Sequence, residues 1–282
     1  MEVKMSALLT EINAAQASGR ALNFANLDLA TSAQKSLSML WENSPFMCTD
    51  DEVVERCLTT GSGYQVRNIP LMMKPRADSN FGESDYQEAV ISFDRQGNIE
   101  SFYFSISMNL YMNVIKNDKE ITDLRRRHLI LDYVEQFYTS YYTMDIHFLE
   151  QVFSDDSLTI TNKVISQKQD SIKLPNKIVY QKQTKKEYLT NLRRVLANNR
   201  YVKVTFDDIK VMRHPVNHEF YGVTLHQGYT SRYYHDYGYL FLLWDFTDEN
   251  QPQIHVHTWQ PDQPNGERIP EDEIYSLNNF DI

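Results

Sequence analysis

The run Tyr239-Leu240-Phe241-Leu242-Leu243-Trp244-Asp245-Phe246 decides the reading of the chain, together with Ile254-His255-Val256-His257-Thr258-Trp259-Gln260-Pro261. The first run is rich in leucine and aromatic residues, and the second alternates β-branched residues with histidine and tryptophan. The segment between them, Asp248-Glu249-Asn250-Gln251-Pro252, is turn-like, so they read as neighbouring antiparallel strands. Working outward, Tyr201 to Arg213 and Tyr221 to Tyr229 have the same character, with His214-Pro215-Val216-Asn217 and Ser231 to Tyr237 as separators. Four strands therefore follow in close succession, with spans 201–213, 221–229, 238–247 and 253–259.

Upstream of them the pattern turns helical. Thr184 and Glu187 have capping-box spacing, and Tyr188, Leu189, Leu192, Val195 and Leu196 make one apolar stripe up to Asn198-Asn199. A strand near Leu158 to Ser166 precedes that helix. Before the strand, Asp145 caps a short helix carrying Phe148, Leu149, Val152 and Phe153. A long helix starts at the Asn117 and Glu120 capping box and runs to about Tyr142, with Ile121, Leu124, Leu131, Val134, Tyr138 and Tyr141 on one side. Arg125, Arg126 and Arg127 fall on its early turns, as a solvated face in preference to an anion site.

The N-terminal third reads as α+β. Met5, Leu8, Leu9 and Ile12 give a helix over residues 5–17 that stops at Gly19, and Thr31 with Gln34 opens a second helix ending at Pro45. Residues 49–59 suit either a short helix capped by Thr49 and Glu52, or a strand through Val53, Val54 and Cys57. Tyr64 to Met73 reads as a strand. Tyr86 to Phe93 and Ile99 to Met108 read as a hairpin around Asp94-Arg95-Gln96-Gly97-Asn98. The domain expectation is residues 1–117, then 118–265, then a tail 266–282.

The 282 residues fit about two domains of ordinary size. A mean hydropathy of -0.52 and the absence of an apolar run near 18 residues predict no transmembrane segment. The 12% aromatic content argues against disorder. A net charge of -10 repels phosphate backbones, so nucleic acid is not an expected partner. That charge is uneven: residues 1–117 carry 9 basic and 14 acidic groups, residues 118–266 carry 18 and 19, and residues 267–282 carry 1 and 5. Cys48 and Cys57 match no zinc spacing and read as two buried thiols in preference to a bridge. No charged-then-apolar leader stands at Met1-Glu2-Val3-Lys4-Met5, which gives a cytoplasmic location if the chain is complete.

Helix, short helix, strand, helix and four long strands is an order that resembles the nuclear-transport-factor-2-like superfamily, which includes SnoaL-like proteins and ketosteroid isomerases. The segment Ile130-Leu131-Asp132-Tyr133-Val134-Glu135-Gln136-Phe137, with Asp145-Ile146-His147-Phe148-Leu149-Glu150-Gln151-Val152-Phe153-Ser154-Asp155-Asp156, resembles the opening of that fold. The resemblance covers about residues 118 to 262. It implies three helices on a curved antiparallel sheet, forming a cone with a pocket. The closing strands also resemble a family of bacterial envelope proteins that pair such a domain with an N-terminal α+β region, which implies a periplasmic or envelope location with the signal peptide absent from this chain. By the same resemblance, a homodimer through the curved sheet is a common use of the fold.

Function is less sharply marked. Strict alternation places His255, His257 and Trp259 on one sheet face, a polar or interdomain surface; the two imidazoles could bind a metal, but no further ligand completes a set by spacing. Asp245 shares a face with Tyr239, Phe241 and Leu243. It is either at the strand's exposed end or a functional carboxylate at a pocket rim, since burying it unpaired is costly. In the aromatic loop Tyr229-Thr230-Ser231-Arg232-Tyr233-Tyr234-His235-Asp236-Tyr237-Gly238 the tyrosines suit recognition of a ligand or protein, or pack on their own sheet.

The expected ligand-contacting set is therefore Tyr229, Tyr233, Tyr237, Trp244, His255 and Trp259. If the chain is an enzyme, Asp245 with His257 or His226 is the acid–base set. No Ser-His-Asp or Cys-His triad can be assembled, and Gly61-Ser62-Gly63 lacks the lysine and helix of a phosphate loop. No cofactor and no metal are expected. The tail mixes Glu267, Glu271, Asp272, Glu273 and Asp281 with Ile269, Ile274, Tyr275, Leu277, Phe280 and Ile282, so it is expected to dock on this chain or on a partner. The reading is a noncatalytic module that binds a small molecule or an envelope protein; the alternative is an isomerase, dehydratase or hydrolase working inside the cone.

Overall fold

The computed structural model describes residues 1–49, 56–60, 62–74, 85–116, 121–169, 172–199, 202–231 and 234–280. Among the sequence expectations, Glu52, Val53 and Val54, Gly61, the Asn117 and Glu120 capping box with its boundary at 117, Tyr233, and Asp281 with Ile282 lie outside the described residues. The chain is α+β and divides into two compact units: Met1–Tyr111 with Asp132–Met144, and Met112–Leu131 with Asp145–Ile282.

In the first unit, α1 (Glu2–Ser18) buries Met5, Leu8, Leu9, Ile12 and Ala15. It stops where Gly19 turns left-handed (φ 62°) and its N–H reaches back to Ala15 and Gln16, a conformation glycine adopts without steric cost. The second helix, α2 (Thr31–Asn43), starts at Thr31 as its sequence suggests, but with a different cap. Ala30 is the N-cap and makes no side-chain cap, while Gln34 donates to the Leu29 carbonyl, so the expected Thr31 box does not form.

Strands β1 (Phe46–Cys48), β2 (Arg56–Thr59), β3 (Gly63–Met73), β4 (Asp85–Asp94) and β5 (Ile99–Ser105) form a five-stranded antiparallel sheet among the described residues. Its apolar face stacks Phe46 on Phe102 and sets Phe46 edge-on to Trp41 of α2. The hairpin turn forms around Gly97 (φ 80°), and the Asp94 carboxylate accepts the Asn98 N–H. Residues 106–108 leave the expected strand and lead into α3 (Met108–Ile115). Cys48 is buried as expected, but Cys57 is exposed, and neither is in a disulfide.

The long helix α4 (Ile121–Thr143) contributes residues up to Leu131 to the second unit and from Asp132 to the first. The second unit continues with α5 (His147–Val152), where Asp145 accepts the His147 N–H, then β6 (Phe153–Gln169) and β7 (Ile172–Thr184). Next comes α6 (Lys185–Asn198), opened by the complete Thr184 and Glu187 capping box. The four closing strands are β8 (Val202–Arg213), β9 (Phe220–Ser231), β10 (His235–Asp245) and β11 (Gln253–Pro261). The sheet order is β7-β6-β11-β10-β9-β8, antiparallel except for the parallel pair β6 and β11.

Three helices cover one face of this sheet, its inner face. Tyr188 of α6 meets Phe153 and His257, α5 buries Leu149 and Val152, and Asp123 at the start of α4 accepts the Tyr221 hydroxyl at 2.7 Å. Among the described residues no helix is long and apolar enough to cross a membrane.

Candidate functional site

Directly paired residues of an antiparallel sheet share a face. Tyr221 pairs with Trp244, Val223 with Leu242, Leu225 with Leu240 and Tyr229 with Asp236, so these side chains point inward. Gly222 pairs with Leu243, Thr224 with Phe241, His226 with Tyr239 and Phe220 with Asp245, and these point outward.

A β-bulge then overturns the alternation expected in β11. Leu243 pairs with Val256 and Trp244 with Ile254, so His255 is the extra residue. His257 and Trp259 face inward opposite Leu242 and Leu240, whereas His255 faces outward with Asp245. The expected common face of His255, His257 and Trp259 does not exist.

Nor do Asp245, His226 and His257 meet as one acid–base set. The Asp245 carboxylate lies 3.2 Å from His255 Nε2 and also accepts the Thr247 N–H and hydroxyl. His226 sits between Asp262, 3.3 Å from Nε2, and Asp207, 3.5 Å from Nδ1. His257 is on the other face, 4.8 Å between ring centroids from Tyr188 and 5.6 Å from Phe153. Burial pushes its imidazole down to about 4, which keeps it neutral, and its Nδ1 meets no hydrogen-bonding partner among the described residues.

The remaining expected ligand residues also divide between the faces. Trp244 is buried inside beside Phe246, Tyr229 points inward with its ring 6.1 Å from that of Tyr234, and the Trp259 ring lies against Gly238. Asp236, which the sequence reading passed over, takes hydrogen bonds from Trp259 and from the Tyr234 hydroxyl, the latter at 2.6 Å; burial raises its carboxyl despite them. Tyr237 faces outward, stacked on His226 at 6.4 Å.

The outer face holds a groove of about 150 Å³. Its floor is β8, β9 and β10, through Lys210, Thr224, His226, Tyr239 and Phe241. Its wall is the C-terminal segment, in two short 3-10 turns, Glu271–Glu273 and Leu277–Asn279. That segment is anchored in three ways. The Gln260 amide donates to the Glu273 carbonyl (2.9 Å) and accepts the Tyr275 N–H (2.7 Å). Leu277 closes a cluster with Phe241, Leu243 and Val256, and Phe280 stacks on Phe241 at 5.3 Å with 4° between planes. At the rim, Lys210 Nζ bonds Glu271 at 3.1 Å and lies 3.8 Å from Asp208; the Glu271 bond raises the lysine pKa. Among the described residues no group of three or more His, Cys, Asp or Glu side chains could hold a metal ion.

The first unit holds a second polar assembly that the sequence did not disclose. Arg67, fully buried on β3, pairs with Glu135 of α4 through both terminal guanidinium nitrogens, and its Cζ lies 3.9 Å from the Tyr111 ring centre. Glu135 also accepts the Ile106 N–H at 3.0 Å. Gln65 links Asp132, Ser92 and Tyr103 beside them. Burial pushes the Glu135 carboxyl up, against the opposing pull of Arg67.

No protein-family model and no curated protein matches this chain. Solved structures that it is similar to include a nuclear-transport-factor-2-like protein from Cytophaga hutchinsonii, at 15% identity and TM-score 0.35 over 48% of this chain and 98% of that one. A nuclear transport factor 2 superfamily protein from Salmonella enterica serovar Typhimurium shares 11% identity at TM-score 0.38, over 52% and 96%. Bd1075 of Bdellovibrio bacteriovorus shares 11% at TM-score 0.37, over 72% and 78%. On its own order of helices and strands, the second unit is similar in fold to the nuclear-transport-factor-2-like superfamily.

Proposed function

We propose that this chain is a noncatalytic ligand-binding module whose small-molecule site is the groove between the outer sheet face and the C-terminal segment. The observation that carries the reading is the groove itself, a concave space combining tyrosine and phenylalanine walls with a few convergent polar groups, the usual make-up of a small-ligand site. The dispersal of Asp245, His226 and His257 supports binding over acid–base chemistry, because a general base must lie within hydrogen-bond reach of its partner and its proton.

The test is a thermal-shift screen of single-ring amines, carboxylates and alcohols against the full chain and Thr224→Trp, which fills the groove from its floor. At least one compound should raise the melting temperature of the wild type and leave that of Thr224→Trp unmoved. No shift with any compound, or equal shifts in both proteins, would overturn the proposal.

A further inference from the structure

We propose that the ligand of this groove is an organic primary amine, its ammonium held by Asp208 and Glu271 and its apolar body lying against Tyr239, Phe241 and Tyr275. This inference rests on the groove being a ligand site, as proposed above.

Three observations lead to it. The first is size. A cavity of about 150 Å³ takes about one benzene-sized ring.

The second is charge. The groove's acids are Asp208 and Glu271, with Asp207 and Asp262 flanking His226 at its end, against Lys210 as the facing cation. The chain's net charge of -10 has the same sign, so the local field draws cations in and turns carboxylates away. Tyr239 and Tyr275 also line the groove, and aromatic rings attract a cation through their quadrupoles.

The third is the seat that Lys210 already occupies. Its ammonium bonds Glu271 and approaches Asp208, so this pair of carboxylates is arranged to receive a primary ammonium. The lysine side chain is 56% exposed and carried on a flexible stem. A ligand amine can replace it while Lys210 swings into water, which makes Lys210 an internal competitor rather than a contact for the ligand.

That arrangement gives a test whose sign is unusual. Phenethylamine, phenylacetate and 2-phenylethanol share one ring and differ in charge, and their binding to the full chain is measured by titration calorimetry. Phenethylamine should bind, and Lys210→Met should tighten it by about fivefold, the upper range for one exposed ion pair. Adding Asp208→Asn and Glu271→Gln to Lys210→Met should reverse that gain. Thr224→Trp should abolish it, with circular dichroism showing each variant folded as the wild type.

If phenylacetate or 2-phenylethanol binds as well as or better than the amine and Thr224→Trp removes that binding, the groove stands and the amine falls. Weaker amine binding by Lys210→Met also overturns the amine. If none of the three binds either the wild type or Lys210→Met, or if Thr224→Trp changes nothing, the groove reading itself fails.

Discussion

Leu277 rests on the bare backbone of Gly222. A Cβ at position 222 would come 2.6 Å from Leu277 Cγ and 2.9 Å from the Phe241 ring. The C-terminal segment therefore closes onto the sheet where the sheet carries no side chain, and that contact fixes the wall of the groove.

Gly222→Ala should lift this wall. Overpacking of this kind costs about 1–3 kcal/mol, and here the strain falls on the docked segment. Trypsin should cut after Arg268 several-fold faster in the variant, followed by mass spectrometry. An unchanged rate would mean that Leu277 does not hold the segment.

Uncovering the face should make it adhesive. Leu277→Asp with Phe280→Asp exposes Phe241, Leu243 and Val256, an apolar strip in the middle of a broad sheet face. Light scattering at micromolar concentration should then report a higher mass than for the wild type. An unchanged mass would show that the segment hides no self-associating surface.

In the first unit the Arg67 and Glu135 pair should behave as a buried pair does. Arg67→Met leaves a buried carboxylate with no cation beside it and should cost about 3–5 kcal/mol in urea denaturation. Arg67→Met with Glu135→Leu should recover most of that loss, since apolar replacement of a whole buried pair is often neutral. A double variant as unstable as the single one would contradict this.

His257 gives the pH dependence. Its folded value of about 4 lies below the ordinary 6.5, so between these values the unfolded chain binds more protons than the folded one. This contribution is whole above pH 6.5 and is lost as pH falls toward 4, by about 3 kcal/mol in all. His257→Phe should flatten that limb of the stability curve; an unchanged slope would show that the imidazole is not held neutral.

Much of the fold was legible because its signals are local. The Thr184 and Glu187 box, the turn at Gly97 and the four closing strands are each written within a few residues. β7 was missed because Lys177, Gln181, Lys182 and Gln183 interrupt its apolar positions, so no clean alternation marks it. The bulge at His255 leaves no trace in composition, yet it sets His255 beside Asp245 and turns His257 to the opposite face. Of the groove, His226 and the apolar tail residues stood out early. Lys210, Asp208 and Thr224 did not, because each looks like an ordinary exposed strand residue until Glu271, about 60 positions later, folds back over them. Arg67 and Glu135 are 68 residues apart, beyond any local pattern.

The most direct test of the account is where a bound amine sits. Intermolecular nuclear Overhauser effects from the phenethylamine ring to the aromatic protons of the full chain locate it. Contacts to Tyr239, Phe241 and Tyr275 are the predicted result. Contacts to Trp244, Tyr229 and Trp259 would place the ligand on the inner face and contradict the outer groove as the binding site.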